Sequence, residues 1–361
     1  MNSSRILVAQ NGETMKSLII LIALMPATVL AAKPLFSSDE PIQAVLTAPI
    51  TQVYRERKQK VRLYHEGVLS YKYGTDKTHR ASVKVRTRGN FRRLNCAHPP
   101  LRLNFKKKDN DINLFERQDK LKLVGPCKNG EAYQDYVGLE YLVYKMWEAL
   151  SPYHFKTRLI ELSYLDSDKK RKPRQATTFV IEEIKDVAKR LKLKRVKQQK
   201  VKRQNMNLEQ TALLELFQLL IGNTDYSTLA APEGENCCHN ARLLVASDTT
   251  SGIVPVPYDF DVSGFVDPPY ATPAPQYPIK NVRQRYFTGW CKEESRFRGA
   301  IQTFQQQKAE LYNLVNSATV IGDRSRQKAT NYLNSFYTLL DNPDRVEREI
   351  LNRCRGSVIT G

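Results

Sequence analysis

Apolar and polar positions alternate with a period of two through much of the first third of this chain, then shift to a helical period. Residues 41–57 predict a strand followed by a short helix. Residues 64–73 alternate around Gly67, as an antiparallel strand does. Residues 81–88 alternate cleanly, with Val83 and Val85 on one face and Lys84, Arg86 and Arg88 on the other. Gly89-Asn90 marks a turn. Short strands are expected at 100–105 and 120–124. In the second, Leu121 and Leu123 oppose Lys120 and Lys122.

At residues 133–150 the period lengthens. Val137, Leu139, Tyr141, Leu142, Met146 and Leu150 form a wide apolar stripe, and Pro152 stops the helix. Residues 155–164 and 176–184 predict a hairpin. The stretch 186–206 is rich in Lys, Arg and Gln and predicts a basic linker or hinge. Helical spacing returns at 208–220, with Asn207 as its cap. Paired strands are expected at 242–246 and 253–257. The proline-rich loop 268–278 is too aromatic for a plain linker. Helices are expected at 297–315, 324–340 and 344–354, and no internal repeat is found. The predicted class is α+β. An antiparallel sheet with one main helix occupies 32–185, the linker 186–206, and a mainly helical half 207–361.

The chain has 361 residues, 41% of them hydrophobic, enough for a real core and against global disorder. Met15-Lys16 precedes an apolar run over 18–30 that ends in small residues, so residues 1–31 read as a signal peptide. Met15 offers a second start. The run falls short of the ~20 apolar residues of a comfortable membrane span. Export to a bacterial periplasm or the cell exterior is expected, an uncleaved anchor being the other reading. Cys96, Cys127, Cys237, Cys238, Cys291 and Cys354 suit an oxidising compartment. No Cys-x-x-Cys spacing points to zinc. Cys96 and Cys127 border one predicted sheet and are expected to bridge. Cys237 and Cys238 are adjacent, and each is expected to fasten the central loop to a different part of the chain.

Lysine and arginine number 57 against 37 acidic residues, a formal charge of +20. This balance favours an anionic partner: a nucleotide, a phosphorylated substrate, an envelope polymer or a membrane surface. The basic runs at 169–174 and 189–203 offer peripheral membrane contact, or are simply solvated. No nucleic-acid motif occurs, no nucleic-acid partner is expected, and the chain is expected to be a monomer. With few histidines and no Gly-x-Ser-x-Gly elbow, a Ser-His-Asp hydrolase is disfavoured.

The candidate chemistry lies between residues 219 and 264. Asp225, Asn240, Asp259 and Asp261 all sit at turns between apolar runs. Oxygen donors of this kind suit magnesium or manganese, which share their shells with phosphate and water. Upstream, Arg86, Arg88, Arg102, Lys120 and Lys122 give the sheet a cationic face, and Glu140 lies on the main helix.

This order of features resembles the protein-kinase-like fold in its atypical branches. It is most similar to the spore-coat CotH kinase family, with looser similarity to HipA-type and secretory-pathway kinases. Gly222-Asn223-Thr224-Asp225 resembles their Gly-Asn-x-Asp catalytic loop. The resemblance implies a two-lobed fold binding ATP or another nucleotide with its metal. Asp225 would orient or deprotonate the attacking hydroxyl. Asn240 and Asp259 would hold the metal, assisted by Asp261. Lys122, or Lys120 on the same face, would contact the phosphates, with Glu140 as its ion-pair partner and Arg88 beside it. The adenine would bond the backbone around Glu183 and Ile184. Tyr226-Ser227 departs from the histidine or arginine that often follows the catalytic aspartate. The gap from Asp225 to Asn240 is long, and no clean glycine-rich phosphate loop is present. The implied function is an exported phosphotransferase acting on a protein or envelope molecule. The alternative is an inactive kinase-fold protein that binds an anionic envelope ligand.

Overall fold

The computed structural model describes residues 35–73, 77–105 and 114–360. The leader expected over residues 1–31 lies outside them. Alternation builds the first half. Strand β1 (Ile42–Ala48) leads through the short helix α1 (Ile50–Arg55) to β2 (His65–Lys72) and β3 (Thr78–Thr87). On β3, Ala81, Val83 and Val85 are buried, while Ser82, Lys84 and Arg86 lie on the other, partly exposed face. The short helix α2 (Phe91–Asn95) precedes β4 (Leu101–Phe105) and β5 (Lys120–Val124). Helix α3 (Glu131–Leu150) then leads to the hairpin β6 (Thr157–Asp166) and β7 (Arg174–Ile181).

These strands join in the order β1-β2-β3-β4-β5-β7-β6 and close into a barrel. Every ladder is antiparallel except β1 with β6, which run parallel from Ile42↔Ile160 to Ala48↔Asp166. The expected antiparallel sheet is therefore corrected to a closed barrel. Closure pairs the second edge of β1, which alternation alone does not reveal. Leu46, Leu69, Val83, Leu103, Leu121 and Val180 fill the interior. At Gly67 a Cβ would come within 2.8 Å of the Thr47 carbonyl, so β2 needs glycine there.

Helix α3 lies on the outer face of β6 and β7. Its Val143, Met146 and Trp147 join Phe179 and Ile181 of the barrel wall in a second core. That core continues into α5 (Leu208–Ile221) and the C-terminal helices, so the second half packs on the outside of the barrel. The Asn207 side chain accepts the Gln210 amide at 2.9 Å and starts α5 as expected. Gly222 ends it at φ +64°, where an added Cβ would collide with the Tyr332 hydroxyl, a place for glycine alone.

The stretch expected as a linker holds structure of its own. Helix α4 (Ile184–Arg190) runs into it, and β8 (Lys194–Arg195) pairs with β9 (Ala241–Val245), which pairs with β10 (Val254–Pro257). Strand β11 (Trp290–Lys292) precedes α6 (Glu294–Gln306) and α7 (Lys308–Asn316). The single helix expected over 297–315 thus breaks at Gln307. Helix α8 (Asp323–Leu340) and the short α9 (Pro343–Val346) follow. The helix expected over 344–354 relaxes into a π-turn over Glu347–Leu351, and β12 (Arg355–Ile359) then pairs parallel with β11. A fully buried ion pair, Glu215 with Lys292, pins β11 to α5.

Cys96 and Cys127 are bridged as expected, with Cα atoms 4.7 Å apart. Cys291 is bridged to Cys354, fixing β11 to the residue before β12. Cys237 and Cys238 are bonded to each other, which overturns the expectation of two separate anchors. The peptide between them is cis, with the Cα atoms 2.9 Å apart. Disulfides fit an oxidising compartment. Among the described residues no helix is long and apolar enough to cross a membrane. The mixture of barrel and helices is that of an α+β protein.

Candidate functional site

The turn after α5, the loop before β9 and the turn after β10 meet on one cavity of about 670 Å³. Asp225, Asn240, Asp259, Asp261 and Arg88 all line it. Asn223 shapes the first turn: its Oδ1 accepts the Asp225 amide at 2.9 Å and its Nδ2 donates to Gln218 at 2.9 Å. Asn240 Nδ2 donates to the Asp225 carbonyl at 2.7 Å and to its Oδ2 at 3.0 Å. His239 Nε2 lies 2.7 Å from Asp225 Oδ1, and this bond raises the imidazole pKa against the opposing effect of burial. Asp225 is thus held by both neighbours of the loop before β9.

Asp259 is placed by Tyr144 of α3, whose hydroxyl accepts the Asp259 amide at 3.0 Å. Asn240 and Asp259 both have left-handed backbones, φ +51° and φ +65°. Asn and Asp tolerate that region better than other residues with a side chain. Among the described residues, neither the Asp259 carboxylate nor Asn240 Oδ1 has a hydrogen-bond partner.

Beneath the cavity lies an arginine that sequence patterning does not single out. Arg92 of α2 reaches Glu140 at 3.4 Å and Asp261 at 3.6 Å, and donates to the Gly125 carbonyl. Glu140 is 2% exposed and Asp261 8%. Burial, then the facing Asp261, pushes Glu140 up to about 8, against the pull of Arg92. Burial raises Asp261 to about 6, with Arg92 opposing and Asp259 adding to the rise. Burial works against the Arg92 charge as well, but Tyr270 and the surrounding carboxylates outweigh it and hold the guanidinium protonated. Tyr270, from the aromatic proline-rich loop, donates to Asp261 at 3.4 Å and lines the cavity.

Glu140 therefore pairs with Arg92 and not with Lys122, the partner expected from sequence. The outward face of the barrel carries a row in register, Arg86↔Arg102↔Lys122. Each member has its own counterpart. Arg86 stacks on Tyr64 at 4.6 Å, Arg102 bonds Glu183 at 2.6 Å, and Lys122 lies 4.3 Å from the centre of the Tyr258 ring. Burial, and then Arg88, lowers Lys122 to about 8, while Asp259 and Glu183 oppose the fall. Lys122 thus sits in the field of the cavity without an ion pair to Glu140. Lys120 is exposed. Glu183 lies apart, tied to Arg102, and its carbonyl accepts the Asp186 and Val187 amides in the first turn of α4. That carbonyl is committed to the helix.

Asn240, Asp259 and Asp261 offer oxygen to the cavity, which is the chemistry of a hard divalent ion, while the His239 nitrogen beside them is bonded to Asp225. Among the described residues no three His, Cys, Asp or Glu side chains gather closely enough to hold a metal by themselves. An ion here would complete its shell with phosphate oxygens and water. A second cleft, of about 880 Å³, lies around Arg283, Arg285, Tyr332 and Arg345. The Arg285 guanidinium there is spent on Leu220, Tyr332 and Ser335, and the carboxylate lining the cleft, Glu349, is paired with Arg345 at 2.9 Å.

No protein-family model matches this chain, and no curated protein matches it either. Arg92 and Tyr270 are the site residues that sequence reading missed. For Tyr270 a signal existed in the aromatic content of its loop; Arg92 stands in a basic turn with nothing to set it apart from Arg93.

Proposed function

We propose that this chain is a kinase-like phosphotransferase of the kind its sequence resembles. It would bind ATP or another nucleotide with magnesium or manganese and phosphorylate a protein or an envelope molecule. The observation that carries this reading is the convergence of Asp225, Asn240, Asp259 and Asp261 on one cavity edged by Arg88. On this reading the barrel is the N-lobe, the segment from residue 207 onward is the C-lobe, and the protein acts after export.

Asn240 Oδ1 and the Asp259 carboxylate are the groups that would hold the ion, with Asp261 assisting from its place beside Arg92. When bound, the ion offsets the negative charge of the nucleotide phosphates. Asp225 orients the acceptor hydroxyl and takes its proton, and His239 holds the carboxylate in place through its 2.7 Å bond. The acceptor oxygen bonds to the terminal phosphorus as the bond to the bridging oxygen breaks, and the leaving nucleotide keeps the electron pair. Arg88 and Lys122 meet the charge that gathers on the phosphoryl oxygens. Arg92 takes the counter-ion role toward Glu140 that the family resemblance gives to a lysine. With the Glu183 carbonyl committed to α4, the base would use other backbone groups around Glu183 and Ile184.

Lys122 lying over the Tyr258 ring favours a second reading, a binding protein of the same fold without transfer, directed at an anionic envelope ligand. Thermal shift with ATP, with and without magnesium, separates the two. The phosphotransferase requires a magnesium-dependent rise in Tm that Asp259→Ala abolishes. Absence of stabilisation by any nucleotide rejects it.

A further inference from the structure

One end of the barrel gathers exposed apolar side chains and a surplus of cations, and we propose that it docks on an anionic lipid bilayer. This surface does not depend on the phosphotransferase reading. The large apolar side chains most exposed among the described residues are Val61 (72%), Leu63 (59%), Phe91 (53%), Leu94 (44%) and Val358 (62%). All but Val358 belong to this end. Phe91 and Leu94 are on α2, and the other two lie in the connection between α1 and β2. Two contacts bring these segments together. Arg93 of α2 donates to the Arg57 carbonyl, and Arg86, shortly before α2, donates to the Arg62 carbonyl at 3.5 Å.

The cations share the surface. Arg55, Arg57, Lys58, Lys60 and Arg62 stand against Glu56, whose carboxylate is occupied by His65 at 2.8 Å. The turn between β6 and β7 adds a second basic run. Its Arg171 lies 5.1 Å from the centre of the Tyr54 ring, on α1 just before Arg55. The acids of that turn are engaged locally, Asp166 by Thr51 at 2.7 Å and Asp168 by Lys170 at 3.6 Å. A net positive face remains.

A soluble polyanion needs only the charges. Exposed Phe, Leu and Val add nothing to its binding and gain only where an apolar phase can receive them. Cations beside apolar side chains match a bilayer whose surface is negative and whose interior is hydrocarbon. Docking here would also bring the cavity to the headgroups. Phe91 lines the cavity and lies 5.9 Å from the Tyr270 ring, while its neighbour Arg92 turns inward to Glu140 and Asp261.

The test adds one tryptophan at a time to the full chain, L94W on this end and V358W away from it, and reads each against the wild-type signal of Trp147 and Trp290. Each is mixed with vesicles of phosphatidylcholine containing phosphatidylglycerol, with brominated acyl chains as quencher. The expected result is a blue shift and quenching for L94W and neither for V358W. Leu63→Ser with Phe91→Ser should lower vesicle partition about tenfold or more. Lys58→Glu with Lys60→Glu should lower it at least about fivefold with the apolar residues intact. Both tryptophans responding alike, or neither responding, overturns the proposal. So does partition that high salt abolishes but the serine pair leaves unchanged, which would identify a soluble polyanion as the ligand.

Discussion

Replacing Arg92 by methionine tests whether this residue holds the floor of the cavity together. The side chain is 11% exposed and faces the carboxylates of Glu140 and Asp261. Methionine keeps much of the volume and removes the charge, leaving buried acids with no cation. Breaking a buried pair from one side costs about 3–5 kcal/mol. Protonation of the acids can lessen that cost, so the effect depends on pH. Asp261 titrates near 6 with Arg92 present. Arg92 lowers the Asp261 value, so without the arginine Asp261 would keep its proton to higher pH. Both acids have raised folded-state values, so their contribution is present at low pH and is lost as pH rises through those values. Arg92→Met should therefore lose more stability at pH 8 than at pH 6. Denaturant unfolding of wild type and variant at both pH values measures this. An equal loss at both, or a loss below about 1 kcal/mol at pH 8, would show that Arg92 does not hold these carboxylates.

Other expectations are sharper in position than in size. Lys292→Met should cost about 3–5 kcal/mol, because Glu215 would be left 1% exposed without its cation, and adding Glu215→Leu should recover most of the loss by denaturant unfolding. Removing the Cys291–Cys354 bridge, which closes a separation of 63 residues, should cost about 4 kcal/mol in the chain-entropy account, read as a fall in Tm. Asp225→Asn should return the His239 pKa toward its ordinary range, followed by NMR titration of the ring; an unmoved value would deny the bond between them. Glu140→Gln removes the acid raised to about 8, so stability should fall less from pH 5 to pH 8 than in wild type, again by unfolding at each pH.

Local periodicity made much of this architecture readable. The alternation Val83, Val85 against Lys84, Arg86 placed β3 with its faces the right way round. The cap at Asn207 and the glycine at 222 bracketed α5 correctly. Pairing between distant strands was not readable, because β1 carries the same alternation whether its second edge meets water or β6. The basic stretch 186–206 looked like a linker because α4 and β8 are short and covered in charge. Asp225, Asp259 and Asp261 share a local signal, each at a turn after an apolar run, and all three line the cavity. Arg92 carries no such signal. Its partners Glu140 and Asp261 come from α3 and the turn after β10, and only the folded chain brings them to it. The Cys237–Cys238 bond was not readable either, because adjacency suggested two separate anchors.

The parallel seam of the barrel has a consequence for how the polypeptide is made. Ile42 leaves the ribosome 118 positions ahead of Ile160, the residue it lies beside in the finished wall. Through that interval the nascent hairpin of β1 and β2 shows a bare flank to every other unfinished copy nearby. A chain threaded outward amino end first would need that flank shielded until Thr157–Asp166 arrives. The hazard to yield in overexpression is thus strand capture between half-made molecules, ahead of any step in the helical half.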